Sequence, residues 1–332
     1  MKRLSSLLLA IVAALIGAYL VQSGAIKGLS FPGLNALPGF NLGGGNTTLS
    51  GNVPPRLGET IRIATWNIQA FGESKLQDPA AMNIIVQILR NFDVVAIQEV
   101  RAISQDVVPE LVNQLNAGGQ HHYDYVLGPR LGRTSSKEQY AFIFDMASIE
   151  VDRNQLYTLD DKDDLLHREP LVGWFRARLA PEQAQLAFTF SLVNVHTDPD
   201  EVDRELEVMD DVLFAVQGDD RHEDDTILLG DFNVNDHNLR QLGKVNGLAW
   251  VVSNTPTNTR GSAQYDNIFF LRAATPEFTG RGGVYDYLRE FNLSIDQALK
   301  VSDHLPVWAE FSVYEGGRPG PVAALPGSFP TE

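Results

Sequence analysis

The chain contains no cysteine, and this absence excludes both thiol catalysis and disulfide bonds. Its stability must therefore come from a hydrophobic core, for which an apolar fraction of 44% is ample. Basic residues are also scarce, since 26 Lys and Arg stand against 42 Asp and Glu, and the net charge is −16. A protein that holds phosphates by its own overall charge has the opposite sign. If the substrate is a polyanion, bound cations and a few local arginines must attract it.

The N-terminus has the pattern of an export signal. Two basic residues precede an apolar run over residues 7–21, which is shorter than the roughly 20 residues of a typical spanning helix. Ser23-x-Ala25 is suitable for cleavage, so residues 1–25 are predicted as a signal peptide or a retained N-terminal membrane anchor. A buried helix is disfavoured because the run lacks amphipathic periodicity. Either form predicts export, with the remainder secreted, periplasmic or anchored to the outer face of the membrane.

Composition divides the rest of the chain into three parts. Residues 26–58 form a Gly/Pro-rich linker, because such a composition cannot bury a core. Residues 59–314 show no comparable break and are predicted as one catalytic domain. Residues 315–332 are again rich in Gly and Pro and are predicted as a flexible tail.

The central part alternates short apolar runs with helical stretches, which predicts an α/β fold of sheets covered by helices. Helices are predicted over residues 79–91, 104–116 and 200–217. Strands are predicted over Ile61–Trp66, Val94–Ile97, Tyr140–Phe144, Leu186–Val195, Thr226–Leu229, Asn267–Leu271 and Leu305–Phe311.

Polar residues cluster at the ends of these apolar strands, where loops gather into a rim. Four segments follow strands and two precede them, and they contain Asn67, Glu99, His196, Asp231 with Asn233, Asp266, and Asp303 with His304. Phosphodiester hydrolysis needs an activated water, stabilised phosphoryl oxygens and a protonated leaving oxygen. Neutral His backed by a carboxylate supplies proton transfer, and a hard cation such as Mg²⁺ supplies positive charge. The six segments together therefore indicate metal-assisted phosphodiester chemistry.

The ordered motifs resemble the endonuclease/exonuclease/phosphatase superfamily and, within it, deoxyribonuclease I. They are Trp-Asn67, Gln-Glu99, Asn-x-His196, Gly-Asp231-Phe-Asn233, Tyr-Asp266 and Ser-Asp303-His304, together with Gln98-Glu-Val-Arg101 and the segment from Leu131 to Tyr140. The resemblance implies a four-layer α/β/β/α sandwich like that of deoxyribonuclease I. It implies endonucleolytic hydrolysis of DNA with Mg²⁺ or Mn²⁺, by a monomer that contacts the membrane through its N-terminal segment if this is uncleaved.

The resemblance also implies roles for individual residues. His196 with Glu138, and His304 with Asp266, would form two acid–base pairs, and which His is the base stays open. The expected metal ligands are Asn67, Glu99 and Asp303, and further catalytic roles are expected of Asp231 and Asn233. Substrate contacts are expected from Arg101, Arg133, Arg168 and Tyr140. A structural Ca²⁺ site is expected at Asp161, Asp164 and Glu169. The last three residues could equally form a solvated acidic loop.

Two alternatives stay open at this stage. The same core occurs in sphingomyelinase-type phospholipid phosphodiesterases and in catalytically inactive binding modules. Where the related deoxyribonuclease has a tyrosine that stacks in the DNA minor groove, this chain has Ser136. Such stacking contributes roughly 1–3 kcal/mol, so this difference weakens the expectation of duplex binding.

Overall fold

Two β-sheets pack face to face in the computed structural model, which describes residues 53–56, 58–133 and 137–317. In spatial order, the first sheet contains β12 (Phe278–Val284), β13 (Val307–Ser312), β1 (Thr60–Phe71), β2 (Val94–Val100), β4 (Gln139–Asp145) and β3 (Tyr123–Leu127). The second contains β10 (Leu248–Trp250), β11 (Asp266–Leu271), β9 (Thr226–Asp231), β8 (Thr189–His196), β7 (Leu171–Ala177) and β5 (Ile149–Val151), and β6 (Tyr157–Thr158) pairs with β7.

Each sheet has one parallel pair at its centre, β1 with β2 and β8 with β9, and its other named pairings are antiparallel. Parallel neighbours end at the same edge of a sheet. Asn67 therefore lies beside Gln98, the residue before Glu99, and His196 lies beside Asp231. This arrangement brings four of the predicted segments to one edge.

Alternation along the central strands separates two hydrophobic layers. Ile227 and Leu229 face the core between the sheets, whereas Val193 and Leu228 face the helices on the outer side. Helices are α1 (Glu73–Leu76), α2 (Pro79–Leu89), α3 (Val107–Asn116), α4 (Val202–Leu206), α5 (Met209–Gln217), α6 (Tyr287–Glu290) and α7 (Ile295–Val301). Buried residues of α2, α3 and α7 belong to the same apolar cluster as Ile227 and Leu229. Those of α4 and α5 belong to the cluster that contains Val193 and Leu228. The result is the predicted four-layer sandwich.

The seven predicted strands are all present, and several extend by a few residues into the polar segments. The single helix predicted over 200–217 is wrong, because it is divided into α4 and α5 at Glu207 and Val208. The prediction also missed the strands β3, β5, β6, β7, β10 and β12.

The predicted signal or anchor lies outside the described residues, as do most of the predicted linker, Ser136 and most of the predicted tail. Among the described residues, no helix combines the length and apolar character needed to cross a membrane. Glu315, predicted as the start of the tail, is bound to the domain, since its amide donates to Leu186 O at 2.9 Å.

Candidate active site

The first acid–base pair joins a buried glutamate to the last residue of a strand. Glu138 precedes β4 and His196 ends β8, and Glu138 Oε1 lies 2.6 Å from His196 Nδ1. Burial alone would raise the pKa of Glu138, but His196, Arg168 and Arg101 hold it below its ordinary value. Burial likewise opposes protonation of His196, yet Glu138 and Asp231 outweigh it and raise its pKa. The pair is therefore a charge-stabilised acid–base unit.

The second pair joins His304, just before β13, to Asp266 at the start of β11. His304 Nδ1 lies 2.9 Å from Asp266 Oδ2, which also accepts a hydrogen bond of 2.7 Å from Thr257 Oγ1. Burial opposes protonation of His304, but Asp266 and Asp231 raise its pKa to about 10. This imidazole therefore holds a proton at neutral pH.

Asp231 lies between the two pairs. Its Oδ2 is 3.5 Å from Nε2 of His196 and 3.5 Å from Nε2 of His304. The same oxygen accepts a hydrogen bond of 3.0 Å from Asn67 Nδ2. Burial would raise the pKa of Asp231, but the two imidazoles and the hydrogen bonds from Asn67 Nδ2 and Asn233 N lower it. Both Nε2 atoms consequently face one buried carboxylate.

Gly230 is required for this arrangement. Its φ is +157°, and a Cβ at this position would lie 1.8 Å from Val195 O. Only glycine lets β9 approach β8 so closely, and this approach sets Asp231 beside His196.

Asn67 and Glu99 fit a hard divalent cation. Asn67 Oδ1 is buried without a hydrogen-bond partner, although its Nδ2 is held by Asp231. Glu99 has a left-handed backbone (φ +63°) and accepts a 2.6 Å hydrogen bond from Ala70 N, which fixes its carboxylate beside Asn67. An open amide oxygen next to a carboxylate is a donor set that Mg²⁺ and Mn²⁺ accept. The donors therefore match the predicted metal.

Asp303, the third predicted ligand, is partly exposed at the rim. Its Oδ2 accepts a hydrogen bond of 2.9 Å from Gln69 Nε2. Asn233, also predicted, lies at the rim, where its Nδ2 donates to Thr197 O at 2.8 Å. Its backbone is left-handed (φ 52°), which asparagine tolerates better than most residues.

Two predicted arginines belong to the site. Arg101 Nη2 lies 3.1 Å from Glu99 Oε1, and the side chain is about one-third exposed. Arg168 is buried, with Nη1 donating to His196 O at 3.1 Å and Nε 3.5 Å from Glu138 Oε2. Arg101 thus offers an accessible positive group, whereas Arg168 mainly supports the first acid–base pair.

Tyr140 does not lie where the predicted substrate contact requires, whereas Arg133 stays partly exposed within a network of ion pairs. The guanidinium of Arg133 is bound by Asp164 and Glu201 and donates to Leu166 O at 3.0 Å, so these contacts hold it within the protein. Tyr140 is fully buried and its hydroxyl accepts a hydrogen bond of 2.9 Å from His196 N. The predicted contact between Tyr140 and substrate is therefore wrong, and Tyr140 orients His196 instead.

The predicted calcium residues are not gathered by the fold. Asp161 Oδ2 accepts a hydrogen bond of 2.7 Å from Leu166 N, and Asp164 pairs with Arg133. Among the described residues, the groups of acids and histidines whose ligand atoms lie within 4.8 Å of one another do not include Asp161, Asp164 and Glu169. The acidic-loop interpretation fits this geometry.

Sequence reasoning missed two residues that support the site. Glu205 is buried in α4 and accepts hydrogen bonds of 2.6 Å from the amides of His167 and Asp198. Thr257, nine residues before Asp266, donates a hydrogen bond that orients this carboxylate. Neither belongs to a motif that the sequence reasoning used, and each acts by orienting another segment rather than by facing the substrate.

A carboxylate-backed imidazole on each side of a buried acid, at the shared edge of two packed sheets, is the site of a hydrolase that cuts phosphodiester bonds. The chain belongs to the Endonuclease/Exonuclease/phosphatase family, whose model matches residues 64–304. That stretch includes both acid–base pairs and the candidate metal ligands.

Known relatives cover most of the chain. It is 31% identical to deoxyribonuclease gamma of Rattus norvegicus over 268 residues, which are 75% of this chain and 83% of the relative. It is 32% identical to deoxyribonuclease-1-like 2 of Homo sapiens over 276 residues, which are 74% of this chain and 90% of the relative.

Solved structures show the same fold at lower identity. A humanized D. rerio TDP2 aligns with a TM-score of 0.51 at 15% identity and covers 77% of this chain and 100% of its own. The human Nocturnin catalytic domain aligns with a TM-score of 0.50 at 16% identity, covering 77% of this chain and 95% of its own. These likenesses concern the fold alone.

Proposed function

We propose that the protein is a metal-dependent endonuclease that hydrolyses DNA. The observation that carries this proposal is the convergence of two acid–base pairs on Asp231, since each imidazole presents its Nε2 3.5 Å from the same carboxylate oxygen. One imidazole takes the proton of the attacking water, and the other gives a proton to the leaving oxygen. DNA is the proposed substrate because the curated relatives of similar length are named deoxyribonucleases.

Asn67 and Glu99 would hold Mg²⁺ or Mn²⁺, with Asp303 at the rim. When bound, the cation polarises the phosphoryl group and neutralises its charge. The protein's own contribution is the proton transfer described above and the placement of the phosphate. Arg101 is partly exposed beside Glu99 and supplies a local positive group in an otherwise acidic protein.

We also propose that the protein acts outside the cell, after export by its N-terminal segment. The support is the pattern of two basic residues, an apolar run and a small-residue site at its start. Fractionation of cells that produce the full chain tests this, and recovery only in the cytoplasm would contradict it.

The test of activity uses supercoiled plasmid and the purified protein. With Mg²⁺ or Mn²⁺ we expect nicked and then linear DNA, and with EDTA we expect no conversion. His196→Ala and His304→Ala should each lower the rate at least ~10²-fold, since general acid–base catalysis contributes that much. His122→Ala, at an exposed position, is the matched control.

Parallel assays with RNA and with sphingomyelin vesicles distinguish the substrate classes. Cleavage of sphingomyelin by a folded protein that leaves DNA intact would reject the nuclease and keep the family chemistry. A folded protein that cleaves none of the three substrates would instead favour a binding module on this fold.

A further inference from the structure

A second group of carboxylates lies at the end of the second sheet away from the catalytic residues. Asp225 directly precedes β9, and Asp231 stands at the other end of that strand. Oxygens of Asp225, Glu277 and Glu315 lie within 4.8 Å of one another, as do those of Asp225, Asp224 and Glu223. The cluster therefore joins the start of β9 to the turn before β12 and to the end of the domain.

The central members of the cluster are buried without compensation. Asp225 is 0% exposed and Glu277 is 2% exposed. Both oxygens of Asp225 and Oε2 of Glu277 lack a hydrogen-bond partner. Apart from burial, the groups that act most strongly on Asp225 are Glu277, Glu315, Glu223 and the Thr275 hydroxyl, and none of these carries a positive charge. Burial of unpaired negative charge is costly, so a cation bound beside these oxygens would stabilise the cluster.

The surrounding carboxylates are held in place from outside. Glu223 Oε2 accepts a hydrogen bond of 2.9 Å from Trp174 Nε1, and Glu315 Oε2 accepts one of 3.1 Å from Thr189 N. Glu277 Oε1 is held by Gly316 N, which leaves its Oε2 directed to the buried interior. The oxygens are thus oriented before any ion arrives, which lowers the entropy cost of binding.

We propose that Asp225, Glu277, Glu223 and Glu315 bind a calcium ion at this end of the second sheet. The donors are all carboxylate oxygens, and Ca²⁺ accepts six to eight oxygen ligands in variable geometry, whereas Mg²⁺ demands a nearly ideal octahedron. Without the ion, burial and the charge of Glu277 raise the pKa of Asp225 to about 9. A proton then replaces the cation as the neutralising charge.

Terbium luminescence provides a direct test, because Tb³⁺ occupies calcium sites and Trp174 lies against the cluster. The experiment uses Glu99→Gln protein, so that the catalytic cation site does not contribute. We expect tryptophan-sensitised Tb³⁺ emission that Ca²⁺ displaces. Adding Asp225→Asn should abolish the emission, and adding Trp174→Phe should reduce it. Asp220→Asn, at a nearby exposed position, is the control that should change nothing.

Thermal unfolding supplies an independent readout. Ca²⁺ should raise the Tm of Glu99→Gln protein and leave the Tm of Glu99→Gln/Asp225→Asn protein unchanged. Asn is nearly isosteric with Asp, and Glu277→Gln serves as the second variant if the first does not fold. Emission or a Tm shift that persists in these variants would overturn the proposal, and so would their absence from the Glu99→Gln protein.

Discussion

Glu138 Oε1 lies 2.6 Å from His196 Nδ1, and both side chains are buried at the edge of the two sheets. The carboxylate stabilises the imidazolium and holds the ring so that Nε2 faces Asp231. At this distance the negative charge of Glu138 favours the protonated form of His196.

Glu138→Gln should lower the rate of DNA cleavage roughly 10²-fold, because the amide keeps the packing but loses the charge. Glu138 raises the pKa of His196, so its removal should move the titration of His196 to lower pH. A rate–pH profile measures both effects. Glu150→Gln, which loses ion pairs with Arg176 and Arg178, is the control, and an unchanged profile for Glu138→Gln would contradict the assigned pairing.

Glu99→Gln should increase the Mg²⁺ concentration for half-maximal activity by at least ~10-fold, because the cation loses a charged ligand. The measurement is the cleavage rate across a Mg²⁺ titration. Glu110→Gln, exposed on α3, should leave the curve in place. If both variants have the same curve as the unmodified protein, Glu99 does not bind the catalytic cation.

Arg101→Ala and Arg133→Ala should behave differently. Arg101 is accessible beside Glu99, so its loss should weaken duplex binding and reduce the slope of log affinity against log salt by about 1. Arg133 is bound by Asp164 and Glu201, so its loss should lower Tm with little change in that slope. Binding is measured with His304→Ala protein, and equal slopes for both variants would assign Arg133 to the DNA surface.

Glu205→Gln should destabilise the fold by roughly 1.5–3 kcal/mol, since one amide oxygen replaces two carboxylate oxygens that accept backbone hydrogen bonds. The two amides belong to His167 and Asp198, next to Arg168 and close to His196, so the cleavage rate should fall as well. Urea unfolding gives the free energy, with exposed Glu207→Gln as the control. Equal stability of the two variants would show that Glu205 does not hold these loops.

In EDTA, the free energy of unfolding should fall as pH rises from about 4 to about 9. The pKa of Asp225 is raised from 3.8 to about 9 by burial and by Glu277, so across this window the folded chain holds a proton that the unfolded chain has released. Asp225→Asn should flatten this part of the curve, and Ca²⁺ should do the same for the unmodified residue. Urea unfolding at several pH values checks it, and identical curves for both proteins would contradict the assignment.

Local sequence patterns predicted the strands that carry the site and the polar residues at their ends. Apolar runs such as Thr226–Leu229 mark buried strands, and the polar residues at their ends, Asp231 among them, necessarily reach one edge. The acid–base pairing itself depended on resemblance, because Glu138 and His196 are separated by dozens of residues and no local pattern relates them. Contacts between distant segments also explain the misplaced expectations.

Arg133 and Tyr140 illustrate this limit. Arg133 lies in a polar loop, and only the fold shows that its guanidinium pairs with Asp164 and Glu201. Tyr140 lies two residues after Glu138, but strand pairing turns it into the core. The Asp225 cluster was equally invisible, since Glu277 and Glu315 join it from the turn before β12 and the end of the domain.

The pairing of β1 with β13 has a consequence for how the enzyme is held. Thr60 lies opposite Ser312, so the two ends of the described domain lie side by side, and Asn67 and His304 stand at the other end of the same strands. Thr60 therefore lies at the end of the domain remote from the catalytic edge. If the domain were fixed to a surface at Thr60, that edge would face away from the surface, open to a long polymer approaching from solution.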